Sequence, residues 1–214
     1  MLRHVAKYRP QTPSVSIDLP MTLSPQTLSE DDRRLVAGWA AACAERVLPL
    51  FESERPDDGR PRAAIDRARA YSEGRLDTAT EIRRRFADGG AARGLTSRAA
   101  AAAASAAGQA SAVCHMGAHA LGAAAYAVKA VSLASPDTPG AAAGEMRWQL
   151  SLLTTQARTA LLCLPPVGQN RSGPLGPGLL SSGQVGQIIA AFQAALRAGE
   201  VSDTSLRKAA ATSP

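Results

Sequence analysis

Two histidines and a tyrosine have the residue types and the spacing that could do chemistry. His115 and His119 are four residues apart, and Tyr126 follows seven residues after His119. On one helix the three side chains share a face, and Gly122 leaves a gap between the second imidazole and the phenol. Because imidazole titrates near neutral pH, this face could line a small cavity for acid–base chemistry or ligand recognition. The structural alternative is that both imidazoles make hydrogen bonds between packed helices.

The same two imidazoles have the i, i+4 spacing with which a helix can bind a divalent metal ion. A closed site needs two more ligands, and the sequence offers only Cys114, Cys43 or distant carboxylates. Both cysteines fall on or near apolar faces, so we interpret them as buried thiols rather than nucleophiles. We expect no cofactor, and a metal ion at His115 and His119 stays an alternative.

A second cluster of charged side chains occurs in the stretch DDGRPR, which contains Asp57, Asp58, Arg60 and Arg62. The carboxylates could polarise a substrate or bind a cation, and the arginines could bind an anion through paired hydrogen bonds. A capping turn before a helix explains the same residues without any ligand, with Pro61 in the first helical turn. The sequence alone leaves both interpretations open.

Motifs of the common catalytic classes are absent: there is no GxxxxGK[ST], no GxGxxG after a strand and no GxSxG. Most nucleotide-dependent and hydrolytic chemistry is therefore set aside. Whether the protein is an enzyme stays open. If it is one, we expect cofactor-independent acid–base chemistry on a small molecule.

The elements that must position these residues are helices. About a fifth of the 214 residues are alanine, the best helix former, while only 4% are aromatic. Small side chains bury little area each, so the helices must approach closely. We predict an all-α fold, a compact bundle of six to eight closely packed alanine-rich helices with a long Pro/Gly loop before the last helix.

The apolar periodicity and the turn residues divide the chain into segments. We expect an extended N-terminal arm over residues 1–27 (with Met21 as an alternative start to Met1), a single helical domain over 28–198 and a fraying tail over 199–214. The predicted helices lie at about 29–51, 57–74, 77–87, 96–135 with a break near Gly108 or Gly117, 141–162 and 182–197. The loop at 163–182 is of a kind that is usually functional or disordered.

The net charge of +6 and the pI near 9.8 raise the question of a nucleic-acid partner. Acidic residues are interleaved with the basic ones, and no basic stripe with aromatics is present, so we expect no nucleic-acid binding. The one dense cluster, Arg83–Arg85, is interpreted as a solvated helix face. No apolar run is long enough to span a membrane, and three cysteines without a CxxC motif favour the cytoplasm.

Three stretches resemble a known family, the alanine-rich Imm-5-like putative immunity proteins found mostly in actinobacteria. They are WAAACAERVLPLFESERPDDGRPRAAIDRARAY, AAGQASAVCHMGAHALGAAAYAVKAV and GEMRWQLSLL, and the resemblance covers about residues 33–160. It implies a helical protein that neutralises a toxin by binding it. The signature positions that it carries over are Trp39, Cys43, Glu45, Arg46, Asp57, Arg60, Pro61, Arg62, His115, His119, Tyr126, Trp148 and Gln149.

Under this hypothesis the partner is a cognate toxin, and Arg60, Arg62, Trp39, Glu45, Trp148 and Gln149 are the candidate binding residues. Inhibitors of nucleases tend to be acidic because they mimic phosphate. A chain of charge +6 therefore favours a toxin that presents an acidic surface instead.

The alternative is a small-molecule-handling protein: a tailoring or cyclising enzyme, or a self-resistance binder from a specialised-metabolite locus. Its pocket would contain His115, His119 and Tyr126 near Asp57 and Asp58, with the Pro/Gly loop as a lid. Residues 163–198, which extend beyond the family pattern, could cover such a pocket or recruit another partner. A homodimer is compatible with either hypothesis.

Overall fold

The structure is a computed structural model and describes residues 24–84 and 90–199. That part of the chain contains eight α-helices and one short 3₁₀ helix and no β-strand, which confirms the predicted all-α class and number of helices. The helices are α1 Glu30–Glu52, α2 Arg60–Ser72, α3 Thr78–Arg84, α4 Arg98–Ala112, α5 His119–Ala134, α6 Ala141–Ser151, α7 Thr155–Leu162, the 3₁₀ helix Leu179–Ser181, and α8 Gly183–Ala198.

The first helix begins and ends where the sequence predicts. Ser29 Oγ accepts a hydrogen bond from the Asp32 N–H at 3.1 Å and donates one to the Asp32 carboxylate at 2.7 Å, which caps the helix. Pro49 lies within the last turn, and the helix ends three residues later at Glu52. Apolar residues at three- and four-residue steps predict one buried face for this helix, of which Val36, Trp39, Cys43 and Val47 are buried and Leu50 is half-buried.

Helix α5 is the centre of the bundle and packs against α1, α4, α6 and α8. Residues 120–128 are all buried, so this part of α5 is surrounded by the core on every side. Helix α4 contributes eight buried alanines. Short side chains on both helices let the two backbones approach closely, as we expect for a core built on alanine.

The chain breaks between α4 and α5 near Gly117, as predicted, whereas Gly108 lies inside α4. A Cβ atom at position 117 would lie 2.5 Å from Leu28 Cδ1, so only glycine fits where the segment before α1 crosses this turn. The break corrects the expectation that one helix carries both histidines. His115 lies in the turn, and His119 is the first residue of α5.

The segment 141–162 forms two helices rather than the single predicted one. Leu152 and Leu153 lie between them, and the side chain of Thr154 accepts a hydrogen bond from the Ala157 N–H at 3.1 Å. This cap starts α7 as a separate helix.

Helix α3 is described from Thr78 to Arg84, and the apolar face that the sequence predicts for it, Ala79, Ile82 and Phe86, is only partly buried within the described residues, with Ile82 half-buried. Ala79 is exposed, and Glu81 is the buried residue of this helix. Phe86, the third residue of the predicted face, lies outside the described residues, as does Arg85 of the arginine cluster. A buried carboxylate on a seven-residue helix cannot be recognised from apolar periodicity.

The Pro/Gly segment after α7 runs through turns and bends, but it is attached to the core. Leu164 and Leu175 are buried. Gln26, which is 1% exposed, donates from Nε2 to the Ser172 carbonyl at 2.7 Å and accepts from the Leu175 N–H at 2.8 Å. The packed structure therefore includes Gln26, which the sequence placed in an extended arm. Residues 1–23 of that arm and 200–214 of the predicted tail lie outside the described residues.

The last helix, α8, confirms its predicted position and apolar face. The sequence has apolar residues at helical spacing in this range, and all five are buried: Val185, Ile188, Ile189, Phe192 and Leu196. Within residues 24–84 and 90–199, no helix is long and apolar enough to span a membrane.

Candidate functional site

The two candidate histidines lie together at the turn between α4 and α5, with ring centroids 6.5 Å apart. His119 Nδ1 is 2.8 Å from the side-chain oxygen of Gln109 on α4. Because an amide oxygen only accepts, this nitrogen carries the proton and donates. Burial, and secondarily the neighbouring His115, lowers the pKa of His119 to about 4. His119 is therefore neutral at pH 7. It links α5 to α4 by a hydrogen bond between packed helices, which is the structural alternative given for this residue.

The gap predicted beside Gly122 is occupied by the protein itself. A Cβ atom at this position would lie 2.6 Å from Gln109 Oε1 and 2.9 Å from Leu180 Cδ1. Beyond it, Tyr126 is buried, and burial raises the pKa of its phenol. Lys129 Nζ lies 5.9 Å from the Tyr126 ring centroid. His119, Gly122 and Tyr126 thus lie on the same helix while His115 does not, and packed side chains fill the space predicted as a cavity.

The sulfur and nitrogen atoms near this turn are not arranged as a metal site. Across the described ranges, no group of three or more His, Cys, Asp or Glu side chains is placed to hold a metal ion. The Cys114 thiol donates to the Ser111 carbonyl at 3.2 Å, and burial raises its pKa to about 11. Burial, with Glu145 as a second cause, also raises the pKa of Cys43 well above its ordinary value. Both thiols are protonated at neutral pH, which makes them weak nucleophiles.

The acidic turn between α1 and α2 is closed by its own ion pairs. The Asp58 carboxylate accepts hydrogen bonds from the Arg60 guanidinium at 2.5 and 2.8 Å and from the Arg60 N–H at 3.2 Å. Arg60 therefore holds the pKa of Asp58 below its ordinary value. Arg62 pairs with Glu52 at 2.6 Å, while Asp57 is exposed. Gly59 is the N-cap residue of α2 and has no side chain with which to cap the helix. The Asp58 carboxylate accepts a hydrogen bond from the first N–H of the helix instead.

The two clusters lie at opposite ends of α4. Glu54, just before the acidic turn, accepts hydrogen bonds from the N–H groups of Thr96 and Ser97, which immediately precede α4, at 2.6 and 3.0 Å. The histidines follow the last residue of α4 instead. A helix of 15 residues is about 22 Å long. The structure therefore does not bring the aspartates and the histidines into one pocket.

Three of the predicted partner-binding residues belong to a network between α1 and α6. Trp39 Nε1 donates to the Gln149 carbonyl at 2.8 Å, and Gln149 Nε2 donates to Glu145 at 2.9 Å. Arg46 pairs with the other oxygen of Glu145 at 2.7 Å, and its guanidinium lies 4.0 Å from the Trp148 ring. Trp39, Glu145 and Gln149 are buried, so they join two helices and present no binding surface of their own.

Glu45, another predicted binding residue, pairs with Arg69 and so joins α1 to α2. Arg69 lowers the pKa of Glu45 below its ordinary value. Sequence reasoning missed a second pair of this kind, between Glu81 on α3 and Arg67 on α2 at 3.0 Å. Among the described residues no donor reaches the other oxygen of Glu81. The two partners are fourteen positions apart in the sequence, so an i, i+4 search does not find the pair.

Residues 26–156 match the family described as Imm-5 like putative immunity protein, which is more than half of the 214 residues. The chain belongs to this family. No curated protein and no solved structure shows significant similarity to it. In this Imm-5-like protein the matched region begins at Gln26, the buried residue that binds the Pro/Gly segment, and ends in the first turn of α7.

The Pro/Gly segment and α8 follow the matched region, yet they contribute to the core of the Imm-5-like protein. The rings of Phe192 on α8 and Trp39 on α1 meet edge to face, with centroids 6.0 Å apart. Leu180 of the 3₁₀ helix covers Gly122 of α5. The segment from the Pro/Gly stretch to the end of α8 is therefore packed against the matched region, including the signature residue Trp39.

Proposed function

We propose that this chain is an immunity protein that neutralises a cognate toxin by binding to it. Membership of the Imm-5-like family carries this proposal, because the family is described as putative immunity proteins. Binding requires a rigid surface and no activated side chain. The toxin is thus a protein partner, and the chain acts on it by occlusion.

The chemistry of the candidate residues supports a binding role more than an enzymatic one. A general acid or base works best with a pKa near the operating pH, and the pKa of His119 is lowered to about 4. The thiol of Cys114 has its pKa raised to about 11. Asp58 forms an ion pair with Arg60. Each group is committed to a partner within the fold, and the two clusters lie at opposite ends of α4.

The charge of the chain indicates the kind of toxin surface that it fits. A net charge of +6 suits a partner with an acidic face, because complementary charge increases the association rate and excludes wrong partners. We further propose that the protein acts in the cytoplasm. Its three cysteines are free, as expected in a reducing compartment.

Native mass spectrometry of the protein purified from its own host, without chelators, tests the proposal. We expect a second polypeptide bound at a defined ratio. Expressed alone in a test bacterium, that polypeptide should arrest growth, and co-expression of this chain should restore growth. A bound small molecule without a polypeptide, or a bound polypeptide that does not arrest growth, would contradict the proposal.

A further inference from the structure

A groove lies where the end of α5 and the start of α6 meet the second half of α1. It consists of two adjoining depressions of about 640 and about 320 Å³, which share Ser135 and Ala141. Its apolar wall includes Val47, Leu50 and Val131. We call it the α5–α6 groove. All the residues that line it fall within the region matched to the family.

The larger depression contains an arginine held in a fixed position. Arg46 is nearly half exposed, stacks on Trp148 and pairs with the buried carboxylate of Glu145. Such a guanidinium loses little side-chain entropy when it binds a further acceptor, because its packing already orders it. The Glu145 carboxylate is 3% exposed, so a partner meets the arginine rather than the acid.

The smaller depression contains a second arginine, in a position that helix stability does not explain. Arg98 is exposed and is the first residue of α4, where the helix dipole disfavours a positive charge. The N-terminus of α6 also opens here, at Gly140 and Ala141, with no acidic residue in its first turn and no side-chain cap. Arg98 and the N-terminus of α6 bring positive charge to this depression, whereas the C-terminal end of α5 at Ser135, which also lines it, brings partial negative charge. The exposed carboxylate of Asp137 lies in the adjoining turn but lines neither depression.

We propose that the α5–α6 groove is the surface that binds the toxin, and that it receives a segment in which Asp or Glu side chains flank an apolar side chain. The inference rests on the proposed function. The apolar wall accommodates the apolar side chain, and Arg46 and Arg98 bind the carboxylates at the two ends. The occupant is acidic because the charged groups that the groove presents to a partner are cationic.

Charge reversal at Arg98 tests the groove, using the toxin polypeptide recovered with the wild-type chain. Arg98→Glu should lower the affinity about tenfold or more, and Arg98→Gln should fall between it and the wild type. Asp137→Asn should raise the affinity, because it removes a negative charge beside the groove. Structural damage would lower the affinity of both variants, so a loss in Arg98→Glu together with a gain in Asp137→Asn does not arise from it. Glu at the first position of α4 also favours the helix, so Arg98→Glu should fold at least as stably as the wild type.

Arg75→Glu is the matched control, since it changes the net charge by the same amount at another exposed arginine. Arg75 lies away from the groove. The carbonyl of its neighbour Leu76 accepts a hydrogen bond from Arg34, which is about 18 Å along α1 from Arg46. The affinity of the Arg75→Glu variant for the toxin polypeptide should stay within about twofold of the wild type. Equal losses of affinity in Arg75→Glu and Arg98→Glu would show that only net charge matters and would overturn the assignment of the groove as the binding surface.

The outcomes also separate this inference from the function on which it rests. If the wild type protects cells from the toxin and Arg98→Glu protects them equally with unchanged affinity, only the groove is overturned. If the wild type does not protect cells, the proposed function fails, and the groove assignment fails with it. Hydrogen exchange gives an independent reading: toxin binding should slow exchange across residues 131–146, and unchanged exchange there would overturn the groove.

Discussion

At the scale of single residues, the polar side chains of this protein mostly satisfy one another. Glu145 is the clearest case, because Arg46 and Gln149 bind its two carboxylate oxygens. The family resemblance suggested Trp39, Trp148 and Gln149 as residues that bind a partner. The structure shows that Trp39 and Gln149 hold helices together and that the surface-facing member of their network is Arg46.

Arg46→Ala should destabilise the fold by about 3 kcal/mol, because it leaves the buried Glu145 carboxylate without its cation. Urea denaturation followed by circular dichroism measures this change. Arg75→Ala, which breaks an exposed pair with Glu73, should cost less than about 1 kcal/mol. Replacing both partners, as Arg46→Met with Glu145→Gln, should recover much of the loss. Equal effects of the two single alanine substitutions would contradict this assignment.

The neutral state of His119 predicts a loss of stability in mild acid. Its pKa is about 4 in the folded protein against 6.5 for the free side chain, so the unfolded chain binds the extra proton first. Stability should therefore fall as pH decreases through 6.5 towards 4, by about 2 kcal/mol between pH 6.5 and 5. Thermal unfolding at several pH values measures it.

His119→Gln is the control for this pH effect, because its amide can still bind Gln109 but cannot titrate. The carboxylates with lowered pKa values, such as Glu45 and Asp58, lose their stabilising effect only below about pH 4.5, so the two windows are separable. An identical pH profile in His119→Gln and in the wild type would refute the role of His119.

At the scale of elements, caps and apolar periodicity predicted much of the fold. Ser29 caps α1, and the apolar face of α8 is buried as expected. The misses have physical causes. Thr154 caps a new helix inside a continuous helical pattern. The sequence predicts a break near Gly108 or Gly117, but no local signal selects between them, because Leu28, which crosses the turn at Gly117, lies about ninety residues earlier in the sequence.

Two glycine substitutions should change stability in opposite directions. In Gly122→Ala the new Cβ displaces Gln109 and Leu180, so we expect a loss of about 1–2 kcal/mol and a weakened bond to His119. In Gly108→Ala no atom lies within 4 Å of the new Cβ, and the helix gains about 0.5–1 kcal/mol. Denaturant midpoints of both variants measure the changes. Destabilisation of similar size at both positions would contradict the packing described for α5.

At the scale of the whole molecule, the candidate site could not be predicted, because it depends on which elements meet. The histidines and the aspartates are separate because α4 stands between them, and the α5–α6 groove combines residues nearly one hundred positions apart. The part of the chain after the family match is also integrated, since Phe192 packs on Trp39 and Leu180 covers Gly122.

A chain ending at Leu162 should therefore lose cooperative unfolding, because it exposes the apolar surface that α8 and the 3₁₀ helix cover. Near-ultraviolet circular dichroism and binding of a hydrophobic dye measure this. The control ends at Gly199, beyond α8, and should unfold like the full chain. A sharp unfolding transition of the shorter chain, at the temperature of the full one, would show that the last helix is dispensable.

The stoichiometry of protection tests the central claim, neutralisation by binding, most directly. A fixed amount of the toxin polypeptide is titrated with this chain, and the remaining toxic activity is measured after a constant time. A binding immunity protein should abolish the activity at a fixed molar ratio, with a sharp end point that does not move when incubation is prolonged. Loss of activity at a small fraction of that ratio, growing with time, would indicate catalysis and contradict the account.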